Sequence, residues 1–454
     1  MESLDIRDIA CVLAGRAGEA GLVSSVCTDT RKLEPACLFF ALKGANFDGH
    51  DFIAKAFELG ACAAVAEKSA GFGDREILVP DTSAALLKLA AWYRSRFKLH
   101  VAAVTGSVGK TSTKEMLASI LSRRFKTLKN EGNQNNEIGL PMTVFQLDST
   151  YEASVFEMGM SARGEIERLS HTAAPSLAVI TNIGVSHIET LGSRENILKA
   201  KLEVMAGMPA DGMMLVNLDD ELLAGASYGG MKTIGFALKN PLSAYRAAEV
   251  VKTMTGTAFL AVHPRGETLV QLPVHGLHNV YNALAAFAAG CEMGVEPAQA
   301  AEALGGFSPP GMRQRTRTSG GVTYIEDCYN AGPDSQRAAL LTLAGFQAKR
   351  RIAVLGDMLE LGDIAVGEHN ALGAFTAAQG IDILLTFGPL SEHTAAAAIK
   401  AGIKDVLSYR DKAKLAGKLA GLLQPGDVVL FKASRGMKLE EIIHLVYKEM
   451  QVDE

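Results

Sequence analysis

Short apolar runs and helical apolar periodicities alternate along most of the chain. Apolar runs between polar segments predict buried strands, and apolar residues spaced three and four apart predict amphipathic helices. Their alternation predicts an α/β fold built from parallel sheets. The predicted strands cover residues 36–42, 61–66, 101–104, 153–157, 176–183, 213–217, 322–327, 351–357, 381–387 and 427–432, and helices are predicted over 84–97, 194–205 and 275–287.

Two breaks in this alternation predict the domain boundaries. At 454 residues the chain is too long for one ordinary core, so two or three domains are expected. Pro80 opens a turn before the helix predicted over 84–97, and the run from Ser308 to Gly311 interrupts the pattern again. We therefore predict a small N-terminal α/β module at 1–82, a central domain with a parallel sheet at 83–310 and a C-terminal Rossmann-like domain at 311–454.

The segment TGSVGKT, from Thr105 to Thr111, lies between a predicted strand and a predicted helix. Glycines let backbone N–H groups approach phosphate, and a helix start offers unpaired donors. Lys110 can reach the outer phosphates of a nucleotide, and the Thr111 hydroxyl can hold Mg²⁺. The strict phosphate-loop pattern requires a glycine where this chain has Val104. The prediction of a phosphate loop therefore rests on the shorter segment GSVGKT, and the alternative is an ordinary glycine turn. We predict a P-loop ATPase-type sheet that uses a nucleoside triphosphate.

Two polar residues fall where strands of a parallel sheet should end. Glu157 closes the strand predicted over 153–157, and His187 follows the strand predicted over 176–183. Ligands bind outside the carboxyl ends of such strands. Either residue alone is more often structural, but the two together beside a phosphate loop favour a Mg²⁺ site.

Lys201 lies in the middle of an apolar patch on the helix predicted over 194–205. Residues three or four positions away from it are Ile197, Leu198, Val204 and Met205. Lys199 instead neighbours two glutamates, which predicts an ordinary solvated ion pair. One alternative is that the aliphatic part of the Lys201 side chain lies along the apolar patch while its ammonium reaches water. The other alternative is that Lys201 is paired, modified or catalytic.

Asparagines mark two further candidate binding segments. Four of them fall within seven residues in the polar loop that begins at Asn130, which either binds a polar ligand or is plain turn chemistry. Asn279 and Asn282 lie at the start of the helix predicted over 275–287. Asn279 can be explained as the cap of the helix. Asn282 lies one turn further on, where a residue of low helix propensity requires another explanation. Two amides at this spacing can recognise a planar heterocycle such as adenine.

Composition narrows the class of protein. Lys plus Arg number 45 and Asp plus Glu 50, a net charge of −5, and no long basic run predicts a nucleic-acid surface. The six cysteines are scattered without a C-x-x-C pair, which favours reduced thiols over disulfides or a zinc site. The first residues carry acids and no basic segment of a signal peptide, and no apolar run has the length of a membrane span. We expect a cytoplasmic enzyme that acts as a monomer.

Ordered motifs through all three predicted domains resemble those of the muramyl ligases of peptidoglycan precursor synthesis. The matching segments are TGSVGKTSTK, EGNQNNEIGLP, EMGM, NIGVSHIETLGS, AKLE, HNVYNALAA and DCYNAGPDS. FFALKGANFDGHDF, GDMLELG and KASRGMKLE are similar to the family member that uses the dipeptide D-Ala-D-Ala, and the D-N-P-R signature of the preceding ligase is absent. One departure is Gly332, where the family usually has asparagine.

The resemblance implies a reaction and its partners. The substrates would be ATP, UDP-MurNAc-tripeptide and D-Ala-D-Ala, joined through an acyl phosphate to give UDP-MurNAc-pentapeptide. The first domain would bind the UDP moiety, the second ATP and the third the incoming amine. Two Mg²⁺ ions and a carbamylated Lys201 are also implied. The alternatives are another ligase of the family with a different amino-acid substrate, and a non-catalytic P-loop nucleotide switch.

The resemblance also implies roles for individual residues. Catalysis would involve Lys110, His187 and Lys201, and metal would be held by Thr111, Glu157, His187 and Lys201. ATP would be bound by Thr105, Gly106, Ser107, Val108, Gly109, Lys110, Thr111, Ser112, Asn279, Asn282, Arg313 and Asp327. The other substrates would be bound by Thr30, Arg31, Asp48, Gly49, His50, Asn133, Asn135, Asn136, Asn330, Ser434 and Arg435.

Overall fold

Four β-sheets organise the part of the chain that the structure, a computed structural model, describes: residues 1–14, 21–44 and 46–452. A two-stranded ribbon and a four-stranded parallel sheet, in the order β3-β4-β5-β6, form the N-terminal module. Its strands are β1 Leu4–Asp5, β2 Leu22–Val23, β3 Ser25–Cys27, β4 Cys37–Phe40, β5 Ala63–Ala66 and β6 Glu76–Leu78, and its helices are α1 Ile6–Leu13 and α2 Ile53–Glu58.

A nine-stranded sheet forms the central unit. The helices are α3 Thr82–Ser95, α4 Lys110–Leu121, α5 Gly139–Val144, α6 Glu165–Ala173, α7 Ile188–Leu191, α8 Arg194–Leu202, α9 Glu221–Ala224, α10 Leu277–Glu292 and α11 Pro297–Gly305. The strands are β7 His100–Thr105, β8 Thr127–Lys129, β9 Ala153–Glu157, β10 Leu177–Ile180, β11 Met213–Asn217, β12 Lys232–Ala237, β13 Tyr245–Lys252, β14 Thr257–His263 and β15 Gly266–Leu272. Their order is β15-β14-β13-β12-β11-β10-β7-β9-β8.

A six-stranded sheet, in the order β16-β17-β21-β18-β19-β20, forms the C-terminal unit. Its strands are β16 Arg315–Ser319, β17 Val322–Glu326, β18 Arg350–Gly356, β19 Ile383–Phe387, β20 Asp405–Tyr409 and β21 Asp427–Lys432. Its helices are α12 Pro333–Ala344, α13 Ala365–Ala378, α14 Ser391–Lys400, α15 Lys412–Ala420 and α16 Glu440–Met450. Short 3-10 turns lie at Thr30–Lys32, Gly49–Phe52, Gly73–Arg75, Glu203–Gly207, Gly362–Ile364 and Arg435–Met437.

The predicted α/β fold is confirmed, with corrections at the sheet edges. The strands from β7 to β13 pair in parallel, but β14 runs antiparallel to both of its neighbours, β13 and β15. The C-terminal sheet is parallel except for β16, which pairs antiparallel with β17. β20 was also missed, because its side chains are only half-buried or exposed and carry no apolar run.

The helix bounds need smaller corrections. The helix expected over 84–97 begins at Thr82, because the Asp81 carboxylate accepts the N–H groups of Ser83 and Ala84 as its N-cap. The helix expected over 194–205 ends as α8 at Leu202 and continues as a 3-10 turn. Strands β9, β11 and β21 have the predicted bounds.

One apolar core is shared by the N-terminal module and the central sheet. It contains Ile9 and Phe40 from the module together with Leu86 and Phe156 from the central unit. Within it, the fully buried Tyr93 of α3 donates its hydroxyl to the Leu147 carbonyl and accepts the Glu2 N–H. The four-stranded sheet, the nine-stranded sheet and the six-stranded sheet fall within the ranges 1–82, 83–310 and 311–454, whose boundaries stay predictions. No helix in the described ranges is long and apolar enough to span a membrane.

Candidate active site

A cavity of about 880 Å³ opens between the central and C-terminal sheets. It lies at the carboxyl ends of β7, β9 and β10 on one side and of β17, β18 and β21 on the other, where parallel sheets bind ligands. The sequence-predicted residues that line it are Ser107, Val108, Gly109, Lys110, Thr111, Ser112, Asn133, Asn135, Asn136, Glu157, His187, Lys201, Asn279, Asn282, Arg313, Asp327, Asn330, Ser434 and Arg435.

The phosphate loop joins β7 to α4 through two glycines in conformations that other residues avoid. Gly106 has φ 146° and Gly109 has φ 86°. A Cβ at Gly106 would lie 1.9 Å from Thr181 Oγ1, and one at Gly109 would lie 2.3 Å from Asn282 Oδ1. Lys110 Nζ donates to the carbonyls of Gly106 (2.9 Å) and Ser107 (3.2 Å), so the side chain folds back over the loop.

Asn182, which sequence reasoning missed, holds this loop against the end of β10. Its Oδ1 accepts the Val108 N–H at 3.0 Å, and its Nδ2 donates to the Val108 carbonyl at 3.0 Å. The Thr181 hydroxyl donates to the same carbonyl at 2.6 Å. Thr105, the last residue of β7, is fully buried and donates its hydroxyl to the Met158 carbonyl. Thr181 and Asn182, at the end of β10, therefore hold the phosphate loop in position by hydrogen bonds.

Glu157 lies at the end of β9 with its carboxylate beside the first turn of α4. Thr111 Oγ1 donates to Glu157 Oε2 at 2.7 Å, and Asn135 Nδ2 donates to Oε1 at 2.6 Å. The structure therefore brings these predicted residues together. The described ranges hold no group of three His, Cys, Asp or Glu side chains able to bind a metal, so a metal here would need mixed oxygen donors.

Asn130 and Lys114, neither of them predicted, fix the backbone that carries Glu157. The Asn130 amide accepts the Glu157 N–H at 2.8 Å and donates to the Glu157 carbonyl at 3.0 Å. The ammonium of Lys114, which is fully buried, donates to the Asn130 carbonyl at 2.6 Å and pairs with Glu115 at 2.8 Å. This network joins α4 to the loop before Glu157.

We expect the Asn130→Ala variant to lower the free energy of unfolding by about 2 to 4 kcal/mol, because it orphans the buried N–H and C=O of Glu157 and the Gln134 carbonyl. Chemical unfolding measures the change. Asn133→Ala in the same loop is the control, because Asn133 is exposed and its side chain forms no hydrogen bond with described residues. Equal stability of the two variants would contradict this account.

Lys201 of α8 is buried with its amine directed into the cavity. Ile197 and Val204 are buried beside it, and Leu198 and Met205 pack there partly buried, as the predicted apolar patch requires. Burial holds the pKa of the Lys201 amine well below its usual value, and the charge of Lys110 lowers the pKa further. The amine has no hydrogen bond or ion pair with any residue that the structure describes, and the side chain is almost entirely buried.

Lys199 points to solvent, but its predicted ion pairs are not found. The Glu203 carboxylate instead accepts the Gly164 N–H at 2.9 Å. No ion pair of Lys199 with Glu195 occurs among the described residues. Lys199 is exposed, which leaves it without contact to the cavity and makes it a suitable comparison for Lys201.

His187 directly precedes α7 and reaches across the cavity to the C-terminal unit. Its Nδ1 lies 3.0 Å from Oε2 of Glu360, which sequence reasoning did not single out. Burial lowers the pKa of His187 and outweighs the opposite effect of the Glu360 charge, while Lys110 and Lys201 lower it further. The ring is therefore neutral at neutral pH.

Asn279 and Asn282 lie buried near the start of α10, one turn apart. The interpretation of Asn279 as the helix cap is wrong, because the N-cap is Gly276 and Asn279 lies inside α10. Asn279 Nδ2 donates to the His275 carbonyl and to Gln314 Oε1 at 2.7 Å. The amide of Asn282 contacts Thr113 and Asn279 at 3.4 and 3.5 Å.

The C-terminal wall of the cavity carries a cluster of charged and aromatic groups. Lys432 donates to Asp327 Oδ2 at 2.8 Å and to the Asn330 carbonyl at 3.1 Å. The Arg313 guanidinium lies 4.0 Å from the centre of the Tyr329 ring. These contacts bring Arg313, Asp327 and Asn330 to one wall of the cavity, and their predicted roles in binding ATP and the other substrates stay predictions.

Ser434 and Arg435 complete that wall. The Ser434 hydroxyl donates to the Ala331 carbonyl at 2.9 Å, and Arg435 pairs with Glu440 at 2.7 Å. Gly332 is the N-cap of α12 and has open space where a Cβ would lie. The missing asparagine side chain therefore leaves room in the cavity and no structural defect.

The predicted substrate residues of the N-terminal module do not line this cavity. Arg31 pairs with Asp29 at 2.7 Å, next to Thr30 in the same turn. Asp48 caps the turn at Gly49–Phe52, and His50 Nε2 accepts the Glu67 N–H at 2.9 Å. Ala45 in the same polar loop lies outside the described residues. UDP binding by Thr30, Arg31, Asp48, Gly49 and His50 stays a prediction.

Comparison with known proteins identifies the family. Three family descriptions match successive parts of the chain: "Mur ligase family, catalytic domain" at residues 22–94, "Mur ligase middle domain" at 104–290 and "Mur ligase, glutamate ligase domain" at 312–435. The chain belongs to the Mur ligase family. The resemblance of its motifs to the muramyl ligases is therefore confirmed.

Individual Mur ligases match over nearly their full lengths. UDP-N-acetylmuramoyl-tripeptide–D-alanyl-D-alanine ligase of Bacillus subtilis (strain 168) is 42% identical over 95% of this chain and 94% of its own. The ligase of the same name from Escherichia coli (strain K12) is 35% identical over 98% of both chains. A crystal structure of MurF from Acinetobacter baumannii superposes with a TM-score of 0.92 at 31% identity, covering 99% of both chains. MurF ligase from Thermotoga maritima in complex with ADP gives a TM-score of 0.86 at 30% identity over 94% of this chain and 98% of its own.

Proposed function

We propose that this Mur ligase joins D-Ala-D-Ala to UDP-MurNAc-tripeptide at the expense of ATP, giving UDP-MurNAc-pentapeptide. The observation that carries the proposal is a phosphate loop whose cavity also holds Glu157, His187 and Lys201 and is closed by a C-terminal wall. The names of the relatives in Bacillus subtilis and Escherichia coli support this choice of substrates. The cytoplasmic location and the monomeric state stay predictions.

ATP would bind at the phosphate loop, with its base near Asn279 and Asn282. The support is the loop geometry, the buried pair of amides one turn apart and the ADP complex of the Thermotoga maritima relative. Lys110 would contact the transferred phosphoryl group after its ammonium leaves the two loop carbonyls. Arg313 and Asp327 on the facing wall lie within the same cavity.

The donor atoms in the cavity fit Mg²⁺. Thr111 and Glu157 offer a hydroxyl and a carboxylate, the hard oxygen ligands that Mg²⁺ prefers, and His187 offers a neutral ring nitrogen. When bound, Mg²⁺ would neutralise the charge that builds up on phosphoryl oxygens. Thr111 and Glu157 would hold one ion, and His187 and Lys201 a second.

Lys201 fits carbamylation. The Lys201 amine is buried and unpaired in the described structure, and burial lowers its pKa and so favours the neutral form. A neutral amine adds CO₂ to form a carbamate with loss of one proton. The product replaces an amine by an anionic oxygen ligand. That change explains why a lysine lies beside Lys110 in a cavity where a second ammonium would be repelled.

The reaction then follows from these positions. The terminal carboxylate of the tripeptide takes the γ-phosphoryl group of ATP and forms an acyl phosphate and ADP. The amine of D-Ala-D-Ala attacks the acyl carbon, and the tetrahedral intermediate collapses to the amide with release of phosphate. The chain acts by positioning and by electrostatic stabilisation, because it supplies no covalent group.

Incubation with ATP, UDP-MurNAc-tripeptide and D-Ala-D-Ala tests the function. We expect pentapeptide and phosphate in equal amounts. A related ligase would release phosphate only with a different amino acid, and a nucleotide switch would make no amide with any of them. Absence of pentapeptide from a folded, ATP-binding protein would refute the proposed substrates.

Domain closure is expected when substrates bind, because the site is divided between the central and C-terminal units. The predicted hinges lie near Pro80 to Ser83 and near Ser308 to Gly311. Small-angle scattering with an ATP analogue and UDP-MurNAc-tripeptide should give a smaller radius of gyration than scattering from the free protein. Superimposable profiles would contradict closure.

A further inference from the structure

We propose that Glu360 is a positioning residue, supplied by the C-terminal unit, that fixes the tautomer and direction of the His187 ring. The inference rests on the proposed function, because it assigns His187 a task at the reacting groups. Glu360 lines the same cavity, and its Oε2 lies 3.0 Å from His187 Nδ1. The two residues are 173 positions apart in the chain, His187 in the turn before α7 and Glu360 in the loop after β18.

Both partners of this contact have the left-handed backbone that side chains other than glycine avoid. His187 has φ 63° and Glu360 has φ 64°. Such conformations persist where the surrounding structure imposes them, and they concentrate at functional sites. Here each strained residue directs its side chain at the other across the cavity.

The Glu360 carboxylate favours a proton on the nearer ring nitrogen of His187. Its Oε2 lies 3.0 Å from Nδ1, and a carboxylate can only accept a proton, so a proton on Nδ1 would face this negative charge. Nε2 is then the ring nitrogen left for a ligand. The ring forms no hydrogen bond with another residue within the described ranges, so Nε2 remains available to a ligand in the cavity. Carboxylates that orient metal-binding histidines act in this way.

The loop that carries Glu360 packs closely against the central unit in this structure. A Cβ at Gly362 would lie 3.2 Å from Glu189 Cγ, which shows how closely the loop meets α7. Leu361 is buried in the C-terminal core, and Val185 of the central unit packs against the same core. The direction of His187 therefore depends on the position of the C-terminal unit.

Histidine tautomers give the direct test. The full-length protein is labelled with ¹⁵N-histidine and held closed by an ATP analogue and UDP-MurNAc-tripeptide without added metal, with His187→Gln as the assignment control. Wild type should then show Nδ1 protonated and Nε2 bare. Glu360→Ala should move the His187 signals towards the Nε2–H form or an average of both forms. Glu360→Gln should keep the wild-type pattern, because its amide oxygen can accept the same proton.

Metal binding and kinetics give the second readout. With Mn²⁺ and a non-hydrolysable ATP analogue, Glu360→Ala should weaken binding of one Mn²⁺ ion about tenfold or more, and kcat should fall by about 10- to 100-fold. Glu360→Gln should fall between Glu360→Ala and wild type. Asp363→Asn is the matched control, because Asp363 is an exposed carboxylate three residues away with no ion pair among the described residues.

The outcomes separate this proposal from the proposed function. An unchanged His187 tautomer in Glu360→Ala would overturn the positioning role, even if activity fell. A changed tautomer with unchanged Mn²⁺ affinity and kcat would also overturn it. A wild-type protein that makes no pentapeptide, but whose His187 tautomer and Mn²⁺ affinity depend on Glu360, would refute the ligase substrates and leave the positioning role standing.

Discussion

Replacing Lys201 with alanine should remove most of the ligase activity, by about 100-fold or more, and leave the protein folded. The variant loses the group that we propose to be carbamylated. Folding should survive because the lost packing against Ile197 and Val204 is partly offset by removal of a buried, unpaired amine. Pentapeptide formation and chemical unfolding measure the two effects separately.

Lys199→Ala is the control for this experiment, because Lys199 lies on the same helix but is exposed and unpaired in the described structure. Its activity should stay near that of wild type. Bicarbonate or short-chain carboxylic acids should restore part of the activity of Lys201→Ala by replacing the lost anionic oxygen. Equal behaviour of the two variants, or an unmodified amine in an active metal-bound form, would exclude the carbamate.

Gly109→Ala should reduce activity about 100-fold, because small displacements of a phosphate-binding loop misplace the reacting groups. The new Cβ would lie 2.3 Å from Asn282 Oδ1, and the φ of 86° disfavours any side chain. Either the loop or Asn282 must move. Calorimetry should therefore show weaker ADP binding as well as slower turnover.

The variant Gly380→Ala distinguishes the effect of backbone strain from the effect of the steric clash that is expected in Gly109→Ala. Gly380 also has a left-handed φ, 66°, but nothing lies within 4 Å of an added Cβ. This variant should lose stability to a similar strain, about 1 to 2 kcal/mol, while binding ADP normally. If Gly109→Ala bound ADP as well as Gly380→Ala does, the tight contact with Asn282 would have no role in nucleotide binding.

Sequence patterns predicted those parts of the site that depend on neighbouring residues. The phosphate loop lies between β7 and α4 because the apolar run, the glycines and the helical spacing are consecutive in the chain. Glu157 was placed correctly because parallel strands present their ends at one edge. Lys201 stood out because the apolar patch surrounds it at intervals of three and four residues.

The contacts that support these groups could not be predicted in the same way. Asn130 and Glu157 are 27 residues apart, and His187 and Glu360 are 173 residues apart. Such partners meet only through the packing of sheets, which leaves no periodic signal. The edge strand β16 was missed for a different reason: its residues, RTRTS, are polar and mostly exposed, so its backbone pairing with β17 is its only strand feature.

The core shared by the N-terminal module and the central sheet has a consequence for fragments of this protein. A piece beginning near residue 83 would uncover the side of α3 that now packs against Ile9 and its neighbours, and Tyr93 would lose its partner at Glu2. Such a piece should aggregate when expressed alone. The C-terminal unit has its own two cores around β18, so if the chain is cut near residue 311, that unit is the part expected to remain soluble.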